Sequence, residues 1–144
     1  MKKIVICFAI LLAVIISGVS YAYVVTKNNY YSAKKENSQY DSYYNQEIQG
    51  TEIATLINRI INNNIRNDVQ KGNDGVYIAN NENSINMDIK FTDDDKTHPI
   101  EILYSNGIEK FVQYYGQIKF KCTNVEYHHK TNKVKYLLFE QISE

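Results

Sequence analysis

Three groups of residues in this chain carry side chains able to do chemistry. Cys122, His128 and His129 offer thiolate and imidazole, the ligand types of a zinc site. Their spacing does not build one. Neighbouring residues of a strand point to opposite faces, and the paired ligand spacings of a zinc module are missing. The two histidines are therefore expected on the surface beside a turn. Cys122 alternates with Ile118 and Phe120 and is expected as a small core side chain.

Asp93, Asp94 and Asp95 supply carboxylate oxygens of the kind calcium takes, but without the alternating ligand spacing and distant bidentate glutamate of a calcium loop. A solvated loop is the expectation. Glu101 with Glu109, or Glu126 with Glu140, could serve as acid and base in a small cell-envelope hydrolase. A chain with sixteen acidic residues offers such pairs in any case. There is no glycine-rich phosphate loop, no Gly-x-Ser-x-Gly elbow and no His-Glu-x-x-His. No catalytic, cofactor-binding or metal-binding residue is assigned, and enzyme chemistry is not expected.

The elements that must position these residues begin with an apolar segment. After Lys2 and Lys3, residues 4–25 contain no charge, about the length a helix needs to cross a bilayer. The two lysines favour keeping that end in the cytoplasm, and Tyr21, Tyr23, Tyr30 and Tyr31 fall where an interfacial aromatic belt would lie. Ser20-Tyr21-Ala22 offers a signal-peptidase site, so a secreted protein cut near Ala22 is the competing expectation. The apolar run continues through Val24 and Val25, which favours an uncut signal-anchor. Both outcomes leave the rest of the chain outside.

Beyond Lys3, fourteen basic residues face sixteen acidic ones, a balance that argues against a nucleic-acid partner. Cys7 lies within the apolar segment and cannot pair with Cys122, so no intramolecular disulfide is expected. The chain is dense in Asn, Ile, Lys and Tyr, with Arg59 and Arg66 as its only arginines, as AT-rich bacterial coding would produce. Tyr40, Tyr43 and Tyr44, and again Tyr114 and Tyr115, could form contact surfaces, although core packing is the preferred reading.

Residues 26–46 are polar and Tyr-rich and read as a stalk or a helix extension; residues 47–144 read as an extracytoplasmic α+β domain. Ile48, Ile53, Leu56, Ile57, Ile60, Ile61 and Ile65 recur at three- and four-residue spacing, which predicts an amphipathic helix with Gly50 at its start or at a kink. Residues 76–79 and 85–91 read as a hairpin around 80–84, and Ile100, Ile102 and Tyr104 as a further strand. Ile108, Phe111, Val112 and Tyr115 predict a short helix closed by Gly116. Residues 118–125 and 134–142 predict a terminal hairpin around Thr131-Asn132-Lys133. The expected fold is a membrane helix, then an amphipathic helix packed on a small antiparallel sheet with one short inserted helix.

This arrangement resembles the type IV pilin and pseudopilin architecture, in which an apolar helix runs into an amphipathic half lying on an antiparallel sheet. The prepilin motif is missing: no Gly precedes the apolar run and no Glu lies within residues 4–25. The stretch Glu47-Ile48-Gln49-Gly50-Thr51-Glu52-Ile53-Ala54-Thr55-Leu56-Ile57-Asn58 is similar to a helix of small, uncharacterised, membrane-anchored extracytoplasmic proteins of low-GC Gram-positive bacteria. The anchor, the small sheet and the lack of a catalytic motif lead to the expectation of a membrane-anchored binding or assembly protein; the pilin resemblance implies a pilin-like subunit as the alternative, and the second likeness implies no activity. The protein's partners would be the membrane, through residues 4–25, and a protein of the cell envelope.

Overall fold

A computed structural model describes residues 2–93 and 96–143. Helix α1, Lys2–Asp41, is unbroken over its 40 residues. Its first part is apolar on every side, and the most apolar window has none of its residues buried. The helix is long and apolar enough to cross a membrane. Residues 26–41 extend it as helix, and only its last turns meet the domain, through buried Ala33, Asn37 and Tyr40 at i, i+4 and i+7.

After α1 the chain reverses through Asn45, which takes a positive φ of 60°, and forms strand β1, Glu47–Gln49. Helix α2, Gly50–Arg66, follows at once. The Glu52 carboxylate accepts the Gln49 backbone N–H at 3.2 Å and so caps an otherwise orphan donor. Gly50 is required by contact: a Cβ there would lie 1.9 Å from the Tyr115 carbonyl oxygen. Ile53, Leu56, Ile57, Ile60 and Ile61 form the buried stripe, each at most 2% exposed. Ile48 sits on β1, outside the helix that its spacing predicts, and Ile65 faces solvent. The apolar and amphipathic helices are thus two separate elements rather than two halves of one.

The remaining elements are β2 (Asn86–Lys90), β3 (Thr97–Pro99), α3 (Ile100–Ser105), α4 (Ile108–Tyr115), β4 (Lys119–Tyr127) and β5 (Val134–Gln141). Together they give the expected α+β fold. The five strands are ordered β1-β4-β5-β2-β3. The expected terminal hairpin is β4–β5, but the sheet is mixed rather than antiparallel, because β2 runs parallel to β5. The segment between those two strands carries β3, both short helices and β4, which gives β5 the length to return in the same direction.

Three further expectations are corrected. Residues 76–79 form no strand and no hairpin with 85–91; Lys71 and Tyr77 share a single bridge, and Ile78 is exposed. Residues 100–104 are helix rather than strand. Ile100 and Leu103 pack inward at helical spacing, while Ile102 and Tyr104, which alternate with them, are exposed. The sheet therefore carries two inserted helices instead of one.

The inner face of the sheet presents Met87, Ile89, Phe120, Cys122, Leu137 and Phe139, which share one core with the α2 stripe. Phe91, Phe111, Tyr115 and Phe120 close that core under α4, with ring centroids between 4.6 and 6.5 Å apart.

Candidate functional site

The residues singled out for chemistry do not meet. Cys122 is fully buried, and burial pushes its thiol up to about 11, so it is a protonated core group rather than a nucleophile. His128 is not on the surface: it is 2% exposed, and its Nε2 lies 2.8 Å from the Ser84 carbonyl oxygen. The register shift between Glu126 and Tyr127 turns the strand end inward, and two backbone bonds, His128 N–H to Lys133 and Asn132 N–H to His128, hold the turn there. His129 is exposed, as expected. Among the described residues no three His, Cys, Asp or Glu side chains are placed to hold a metal ion. Asp94 and Asp95 lie outside the described residues, and Asp93 is exposed.

The carboxylate pairs also separate. Glu101 is buried with the Tyr77 backbone N–H donating to it at 3.3 Å, whereas Glu109 is exposed on α4. Glu126 lies opposite Tyr136, and Glu140 is four residues further along β5, about 13 Å at the rise of a strand. Their carboxylates are engaged separately, Glu126 by Asn124 and Lys135 and Glu140 by Thr123.

What the fold does assemble is a polar cleft of about 350 Å³ where α1, α2, the 80–84 loop and the start of β5 meet. α2 gives it Arg59, Asn63 and Arg66, with the C-cap residue Asn67, at i, i+4, i+7 and i+8, a single stripe along one edge of the buried isoleucines. α1 adds Glu36, Asn37, Gln39 and Tyr40, and Asn83 and Lys133 close the far side. Sequence reasoning passed over this set because it read α2 for its apolar face. The 3.6-residue spacing of the two arginines and two asparagines was the available signal.

Amides build the walls. Asn37 donates from Nδ2 to the Asn132 carbonyl at 2.7 Å and accepts the Val134 N–H at 2.9 Å, tying α1 to the start of β5 as a strand partner would. Asn64 does the same for α2: its Nδ2 donates to the Ile85 carbonyl at 2.7 Å and its Oδ1 accepts the Ile85 N–H at 2.9 Å. Asn63, Asn67 and Asn83 are linked by their own side chains. The chain has no model of a known family, no curated protein and no solved structure that matches it.

The charges in the cleft are less committed. Lys133 pairs with Glu36 at 2.8 Å, and Arg59 makes one long bond, 3.4 Å, to the Gln39 carbonyl. Arg66 and the Tyr40 hydroxyl make no hydrogen bond among the described residues, although Tyr40 is 6% exposed and lines the cleft. Burial raises the Tyr40 phenol above its ordinary value, against the lowering influence of Arg59, so it faces the cleft as a neutral O–H. The cleft therefore offers forked cationic donors, amides and a phenol, which suit recognition rather than bond making.

Proposed function

We propose that this is a single-pass membrane-anchored protein whose domain lies outside the cytoplasm and binds a component of the cell envelope in the junction cleft. The observation that carries the reading is α1 itself. One helix holds an uncovered apolar half and a polar end that forms one wall of the cleft, so the site stands at a fixed place relative to the apolar segment. Lys2 and Lys3 support leaving the N-terminus in the cytoplasm.

For a hydrolase, the pairs named from the sequence do not form a common site, although Asp74, Asp88 and Glu126 line a second cavity in which the Tyr136 hydroxyl donates to Asp88. A pilin-like subunit would be supported by a long helix lying along the sheet; here the separate α2 covers the sheet, and α1 touches the domain only from Ala33 onward. Intact-mass measurement of the native protein tests the anchor. The uncut chain is expected. Loss of residues 1–22 would make the protein secreted, and a different trim would revive the pilin-like reading.

A further inference from the structure

The geometry points to a small sugar-borne oxyanion, a carboxylate or phosphate on a hydroxylated ring, as the ligand of the cleft lined by Tyr40, Arg59, Arg66 and Lys133. The inference rests on the cleft being a binding site, as proposed above, and adds its chemistry. Both arginines of the chain line this one cavity, two helical turns apart on the same stripe, about 10 Å by the helix rise. With Lys133 they give three cationic side chains against the single carboxylate of Glu36. The exported part of the chain has more acidic than basic residues, so a locally cationic cavity runs against its composition.

Guanidinium forks match the paired oxygens of carboxylates and phosphates. Arg66 and the phenol of Tyr40 are the unspent donors: neither makes a hydrogen bond or a close ion pair among the described residues, and Tyr40 is more than nine-tenths buried with its ring held in the core. An anion seated between Arg59 and Arg66 would accept from both, and the Asn63 and Asn83 amides beside them, each with a second N–H that makes no bond among the described residues, would donate to hydroxyl groups. A volume near 350 Å³ falls at the small end of ligand sites, the size of one sugar unit and its substituent.

The headgroups of the protein's own membrane do not fit this role. Tyr40 is fifteen residues beyond Val25, about 22 Å along the helix, whereas the headgroup layer is roughly 5–8 Å deep on each side. The ligand is therefore free or carried by the envelope beyond the membrane.

Equilibrium dialysis of the full chain in a neutral detergent, against glucuronate, glucose 6-phosphate, inorganic phosphate and glucose, tests the assignment. Glucuronate and glucose 6-phosphate are expected to bind at least tenfold more tightly than glucose and more tightly than inorganic phosphate. Arg66→Gln should weaken both sugar anions at least tenfold with unchanged thermal unfolding, because Arg66 makes no hydrogen bond or ion pair among the described residues; Arg66→Lys should fall between. Glucose binding as tightly as its phosphate overturns the anion class while keeping the cleft as a binding site. Inorganic phosphate matching glucose 6-phosphate overturns the sugar. Indifference to Arg66→Gln overturns the location, and no binding by any of the four overturns both this inference and the binding role of the cleft, leaving the anchor to the mass measurement.

Discussion

Helices α1 and α2 each carry five isoleucines, and the two sets meet opposite surroundings. In α1, Ile4, Ile6, Ile10, Ile15 and Ile16 are all more than half exposed; in α2, Ile53, Ile57, Ile60 and Ile61 are at most 2% exposed, and only Ile65 is uncovered. The residue type is the same, so its arrangement decides. Around α1 the apolar residues occupy every side, and no single face can hide them from water. Around α2 they keep a three- and four-residue spacing, which leaves a polar stripe free to form the cleft. Burial in this protein follows from how apolar side chains are distributed around a helix.

The largest break in that comparison comes from equivalent truncations in the two helices. Ile57→Ala or Ile60→Ala is expected to lower unfolding free energy by about 2–5 kcal/mol through lost burial and a residual cavity. Ile10→Ala in α1 should change it by less than about 0.5 kcal/mol. Denaturant titration of the full chain in mild detergent compares them; a neutral Ile57→Ala would mean that α2 is not a core element.

The two asparagine ties sharpen the contrast at the next scale. Asn64→Ala strands the buried N–H and carbonyl of Ile85 and should cost about 1–3 kcal/mol of domain stability. Asn37→Ala should cost less and act locally. Hydrogen exchange is expected to quicken for the amides of residues 33–41 and stay unchanged for residues 53–61, because α1 meets the domain only at its end. Equal loosening of both helices would show that they form one cooperative unit.

Much of this was legible beforehand, and the misses have physical causes. The apolar run, the α2 stripe, the α4 spacing and the β4–β5 pair are local patterns with a clear period, and sequence alone carries a period. Strand pairing is not local. The parallel β2–β5 pair joins residues about fifty apart, which no alternation announces. Residues 100–105 were too short to separate a helix from a strand, since Ile100 and Ile102 satisfy the strand pattern while Ile100 and Leu103 satisfy the helical one. The cleft was half visible as Arg59, Asn63, Arg66 and Asn67 on one helical stripe; its other half, Tyr40, Asn83 and Lys133, comes from three distant segments.

A pH series gives a smaller effect within the domain. Burial raises the Glu101 carboxyl above its ordinary value, with Asp88 adding to the rise and Lys71 opposing it. A raised folded-state pKa means that the folded protein holds the proton more tightly than the unfolded chain, so stability is lost as pH rises through the Glu101 titration. Glu101→Gln, which keeps an acceptor for the Tyr77 N–H, should match the parent in acid and become the more stable form above that titration. Thermal unfolding at stepped pH reads the difference, and parallel curves would contradict it.

The smallest effect uses Cys122 as a reporter. Cys122 should resist maleimide in the folded protein and react only as denaturant opens the domain, because burial protects the thiol and raises its pKa. Labelling of Cys122 in the native state would place β4 outside the core.

The proposal that residues 4–25 anchor the domain on the outer side of a membrane is decided by protease added to intact cells or protoplasts, with a lysed sample alongside. Loss of the domain to the same extent in both samples, leaving a membrane-protected fragment that contains Lys2 and Lys3, is the predicted result. Full protection in intact cells with digestion only after lysis would place the domain in the cytoplasm and contradict the account.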